Sequence, residues 1–115
     1  PLFAYLEIAQ KQYEDLAYQG YYNVGPDECD CVTTGELVTL FCDLWGDGAF
    51  WVNQHDGGPH EANFLKLDCS KLKKTFGWKP HWHIQDAIEK TIVWSKAYLA
   101  GEDMRQVMDQ QIEAY

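Results

Sequence analysis

The segment "GGPHEANFLKLDCSKLKKTFGWKP", residues 57–80, decides how the chain is read. A Gly57-Gly58-Pro59 turn leads into His60 and Glu61, and the apolar run "NFLKL" at 63–67 then reads as a strand. Asp68 is a natural N-cap for the helix signal "CSKLKKTF", and Gly77 is its stop. Turn, charged pair, strand and capped helix, in that order, describe a loop held beside a ligand. Lys71, Lys73 and Lys74 directly behind the pair read as the solvated face of that helix.

Upstream, "AFWVNQ" at 49–54 reads as a second strand. Before it, Thr33 with Glu36 three positions on forms a capping-box pattern, and Leu37, Leu40, Phe41, Leu44 and Trp45 make one buried face before Gly46 ends the helix. The run "YYNVGPDE" at 21–28 suggests a buried strand leading into a Gly-Pro loop. The first segment carries Leu2, Leu6, Ala9, Tyr13 and Leu16 at helical spacing, which predicts an inward stripe stopped by Gly20. Downstream, Ile84, Ile88, Ile92, Ser95 and Leu99 define a long helix closed by Gly101. Its cap position holds His83 where Ser, Thr or Asp is usual, with Asp86 three residues later. Residues 102–115 are helical in propensity but sparsely apolar, which suggests a peripheral or fraying tail. The expected architecture is α+β, a small mixed domain of about four helices and a few short strands.

Composition bounds the rest. A length of 115 residues, 46% apolar and 15% aromatic, fits one globular domain over 1–115. No apolar run approaches the ~20 residues of a membrane span, and no signal peptide precedes the first helix. The chain opens at Pro1 without a Met, which reads as a fragment or a processed product. A formal charge of −9 argues against a nucleic-acid or anionic-membrane surface, since both need a basic face. Cys29, Cys31, Cys42 and Cys69 read as reduced thiols of a cytoplasmic protein.

No catalytic constellation is complete. The chain lacks G-x-G-x-x-G, a Walker A pattern, G-x-S-x-G, H-E-x-x-H and any Tyr with a Lys four residues on. Cys29 and Cys31 with His55, His60, His81 and His83 raise the question of a metal, but C-x-C is not a knuckle spacing and no second pair completes one. No metal is expected. Trp45, Trp51, Trp78, Trp82 and Trp94 fall mostly where periodicity buries them, so core packing is their default role. His60 and Glu61, on a glycine-rich loop, are better placed to meet a ligand.

Leu67, Asp68, Ser70, Lys71, Phe76, Gly77, Trp78 and Pro80 form a Leu-Asp-x-Ser-Lys…Phe-Gly-Trp-x-Pro pattern. It resembles one shared across the extended short-chain dehydrogenase/reductase family, also described as the NAD-dependent epimerase/dehydratase family. Pro-His-Glu-Ala at 59–62 and Lys-Ala-Tyr-Leu-Ala-Gly-Glu-Asp-Met at 96–104 are narrower. They resemble the nucleotide-sugar 4,6-dehydratase branch that acts on CDP-glucose, and "NVGPD" and "LWGDG" agree with it. The likeness runs from Pro1 to Met104.

That resemblance implies a C-terminal, substrate-binding lobe without its Rossmann domain. In such enzymes the upstream domain holds NAD and the Tyr-x-x-x-Lys pair. The reaction oxidises C4, eliminates water across C5 and C6, and returns the hydride to C6. This chain would then have no catalytic residue, no cofactor of its own and no activity alone. It would contact a CDP-sugar through Pro59, His60, Glu61 and Asn63. Many relatives carry an Arg immediately before the equivalent of Pro59, pairing with the substrate diphosphate; here Gly58 stands there. His60 or the upstream domain would have to supply that cation. The parent would be a lyase of nucleotide-sugar metabolism, of the kind that feeds lipopolysaccharide or O-antigen biosynthesis. Apolar surface that would pack on the upstream domain also offers a route to a homodimer. Other expectations are a lobe of a GDP-mannose dehydratase or an epimerase, and a free-standing binding module.

Overall fold

In the computed structural model the described residues are 1–54 and 66–115. They contain five α-helices: α1 (Leu2–Glu14), α2 (Thr34–Trp45), α3 (Ser70–Phe76), α4 (Ile84–Ala100) and α5 (Met104–Glu113). Short 3-10 turns cover Leu16–Tyr18 and Glu28–Asp30. There is no strand among the described residues, so the α+β expectation is corrected to an all-helical one. Residues 21–27 and 49–54 are without regular structure, as are 66 and 67; the remainder of the expected strand at 63–67 lies outside the described residues. The physical reason is pairing. A strand exists only where a neighbour completes its ladder, and these β-prone runs meet helices instead.

The chain divides into two units, residues 1–28 with 66–80 and residues 29–54 with 81–115. The first is built on an apolar cluster of Ala4, Leu72 and Trp78, with Ile8, Tyr22, Val24 and Phe76 packed against it. Tyr22 and Val24 therefore lie on helical neighbours, not in a sheet. The Tyr22 ring meets Phe76 edge-on at 5.0 Å, and its hydroxyl donates to the Tyr18 carbonyl at 2.8 Å. Ala4 sets the buried face of α1, while Leu2, Leu6, Tyr13 and Leu16 of the expected inward stripe are exposed. Helix α1 ends at Glu14, ahead of Leu16 and of the expected stop at Gly20, and it is apolar on more than one side, so spacing gave neither its end nor the face that turns inward.

Helix α3 starts one residue later than the sequence suggests. Cys69 holds the cap position, and Asp68 Oδ1 accepts the Ser70 amide at 2.9 Å. Hydrogen bonds from the Ser70 hydroxyl and then the Ser70 amide hold the Asp68 carboxyl below its usual range. Gly77, left-handed at φ 65°, ends the helix as expected. Lys71 and Lys73 are more than a solvated face. Lys71 donates to the Tyr21 carbonyl at 3.1 Å and lies 4.6 Å over the Tyr22 ring, and Lys73 pairs with Asp27.

In the second unit α4 packs against both α2 and α5. The Thr33–Glu36 capping box forms as read, with the Thr33 amide donating to Glu36 at 2.7 Å. Lys96 from α4 donates to the Trp45 carbonyl at 2.7 Å, placing a cation at the negative end of α2. Ile92 and Ala97 are the buried apolar residues of α4, whereas Leu99 is exposed. The segment read as a fraying tail is α5, capped by Asp103 and tied back where Gln111 donates to the Lys90 carbonyl at 2.9 Å. Tyr115 closes on the Trp82 ring at 4.7 Å. Of the five tryptophans only Trp78 is buried; Trp51 and Trp94 are exposed.

Candidate functional site

Pro59, His60, Glu61 and Asn63, the residues expected to contact substrate, lie outside the described residues. Immediately after that segment the first unit carries an open cleft of about 370 Å³. Pro26, Glu28, Lys66, Asp68, Ser70 and Lys73 line it. Its two lysines come from either side of the start of α3, and its acids are Glu28, ahead of Cys29, and Asp68, ahead of α3. Lys66 pairs with Glu28 and Lys73 with Asp27, so the charges of the cleft are matched. The Lys66 ammonium holds the Glu28 carboxyl below its usual range. The approach of the 20s loop is close: a Cβ added at Gly25 would stand 3.3 Å from Cys69 Sγ.

A second cluster lies in the other unit, where the cap of α4 is completed. His83 occupies the cap position, and its amide donates to Asp86 Oδ2 at 3.0 Å. The carboxylate missing from that position comes from Asp30. Asp30 Oδ1 accepts the Ile84 amide at 3.0 Å, and Oδ2 lies 2.9 Å from His83 Nδ1. Asp30 is 8% exposed, the one buried charged side chain among the described residues. Burial pushes its carboxyl up, but the Ile84 amide, the His83 ring and the Cys29 thiol together outweigh it, and the carboxyl sits below its ordinary value.

Cys29 Sγ adds a third group, 3.9 Å from the same Nδ1. This is not a nucleophile relay. A relay needs thiol and carboxylate on opposite ring nitrogens so that the imidazole can pass a proton between them. Here both face Nδ1. The sequence drew attention to His83 at an unusual cap and to Cys29, but Asp30 was missed. Its only signal was the cap that His83 leaves incomplete, and nothing in the sequence says that a residue over fifty positions earlier fills it.

No protein-family model matches the chain. No helix among the described residues is long and apolar enough to cross a membrane. Over its full length the chain is 37% identical to CDP-glucose 4,6-dehydratase of Salmonella typhimurium, and it spans 32% of that enzyme's length. An identity of that size with no part of this chain left over shows common descent, consistent with a C-terminal portion of such an enzyme. Across its whole length the chain is similar to about a third of a CDP-glucose 4,6-dehydratase.

Proposed function

We propose that this chain is the substrate-contacting portion of a nucleotide-sugar 4,6-dehydratase that converts CDP-glucose to its 4-keto-6-deoxy product. The observation that carries the reading is the 37% identity over the whole chain. The contacts to the CDP-sugar are assigned to Pro59, His60, Glu61 and Asn63. Lys66 is the first cation after that segment in the sequence, and it lines the cleft.

Redox chemistry on this reading belongs to the rest of the parent enzyme. The chain has neither a dinucleotide glycine fingerprint nor a Tyr-x-x-x-Lys pair, so NAD and the proton-transferring tyrosine would be supplied by an upstream Rossmann domain. The exposed Leu2, Leu6, Tyr13 and Leu16 of the first unit suit packing on that domain, or on a second copy in its absence. Sedimentation at high concentration tests the second copy; a monomer there contradicts it.

The experiment is a comparison of CDP-glucose, GDP-mannose and UDP-glucose as ligands. Preference for the CDP-sugar, reduced by His60→Ala or Glu61→Ala, supports the reading. Preference for the GDP-sugar or UDP-sugar would move the chain to another dehydratase or an epimerase. Turnover of CDP-glucose with NAD by the chain alone would refute the division of labour.

A further inference from the structure

Cys29, Asp30 and His83 bring three different metal-ligating groups together, and their ligand atoms all lie within 4.8 Å of one another. We propose that Cys29 Sγ, Asp30 Oδ2 and His83 Nδ1 form a binding site for a borderline-soft divalent cation such as Zn²⁺. The inference does not rest on the dehydratase reading.

Distances come first. Metal–ligand bonds of about 2.0–2.3 Å in a tetrahedron put ligand atoms roughly 3.3–3.7 Å apart. The Sγ–Nδ1 separation is 3.9 Å and the Nδ1–Oδ2 separation 2.9 Å, so small side-chain rotations suffice. The shorter distance is a hydrogen bond, and the metal takes the place of any proton on Nδ1: a neutral ring then carries its proton on Nε2 with no net release, whereas an imidazolium gives one proton to solvent. The thiol proton is released in either case, so affinity rises with pH.

Charge comes second. A thiolate, a carboxylate and a neutral imidazole carry two negative charges and neutralise a divalent ion. The positive end of the α4 dipole opposes a cation there. It amounts to roughly half a charge, which the two full negative charges exceed. The chain's net charge of −9 adds an attractive field.

Orientation comes third. Asp30 is not loose on the surface: Oδ1 is held by the Ile84 amide, which leaves Oδ2 directed at the His83 ring. Such outer hydrogen bonds fix a ligating carboxylate and favour binding. The His83 side chain is 57% exposed, so an ion can enter from solvent and keep water as its fourth ligand. Thiolate with imidazole selects Zn²⁺ or Co²⁺ over the oxygen-seeking Mg²⁺ and Ca²⁺.

The test is titration of the full chain with Co²⁺, read by the near-ultraviolet thiolate-to-cobalt charge-transfer band. One equivalent should develop the band, Zn²⁺ should abolish it, and Mg²⁺ should leave it unchanged. Cys29→Ser should remove the band while circular dichroism stays the same, because the Asp30–Ile84 cap does not involve the thiol. Asp30→Asn keeps an oxygen for the Ile84 amide but loses the anionic ligand, and should weaken Co²⁺ by at least the roughly 10–100-fold that losing an outer partner costs. A band that survives Cys29→Ser, or that disappears with Cys31→Ser or Cys42→Ser instead, overturns the assignment. So does the absence of any band at millimolar Co²⁺, which would leave the cluster as a helix clasp alone.

Discussion

The two units hold their helices by different means. The first rests on volume: Leu72 is 1% exposed and Ala4 and Trp78 close around it. The second buries only Ile92 and Ala97 among its described apolar residues, and its remaining buried side chain is a carboxylate, Asp30. Apolar burial is tolerant of pH and salt, whereas a buried carboxylate anchoring a helix start is not. The units should therefore fail under different conditions.

The largest expected effect is in the first unit. Leu72→Ala removes a fully buried side chain and should cost about 3 kcal/mol, measured by urea unfolding. A loss within the error of the measurement would show that the cluster is not the core of that unit. Next comes Asp30→Ala, which removes a helix cap and a hydrogen bond to a charged group, and should cost about 2 kcal/mol. Asp30→Asn should cost less, since one oxygen remains for the Ile84 amide.

The pH dependence sharpens the contrast. The folded carboxyl of Asp30 is depressed below its ordinary value of 3.8. Its stabilisation is thus fully present above that value and is lost as pH falls below it through the folded value. The Asp30→Asn protein should lose less stability than the parent chain on acidification below about pH 4, while Leu72→Ala should run parallel to the parent. Parallel curves for all three would contradict the assignment of Asp30. The smallest effect belongs to Lys66→Ala. Its partner Glu28 is largely exposed, so the unfolding midpoint should not move measurably, and any shift should vanish in high salt.

How much of this could be read beforehand depends on whether the signal was local. Thr33 with Glu36, Gly77 and Gly101 are local devices, each acting within one turn, and each appears where the sequence placed it. The extended runs at 21–28 and 49–54 failed because β-propensity states a preference, while a strand requires a partner that no window of sequence can show. The face of α1 failed for a related reason. Ala4 is small and drew no notice beside Leu2 and Leu6, yet a small residue is what lets α1 approach Leu72 and Trp78. The site divides in the same way. The His60–Glu61 loop came from a motif and a resemblance, and its placement falls outside the described residues. Asp30 at the start of α4 is a contact across more than fifty positions, visible only in three dimensions.

The most direct test of the central claim is calorimetric titration of this chain with CDP-glucose, with a GDP-sugar as control. The account predicts saturable binding of CDP-glucose at millimolar concentration or below, weaker binding of the GDP-sugar, and loss of the difference in His60→Ala. Equal heats for both ligands, or a CDP preference untouched by His60→Ala and Glu61→Ala, would contradict the claim that this portion of the enzyme recognises the nucleotide sugar through that segment.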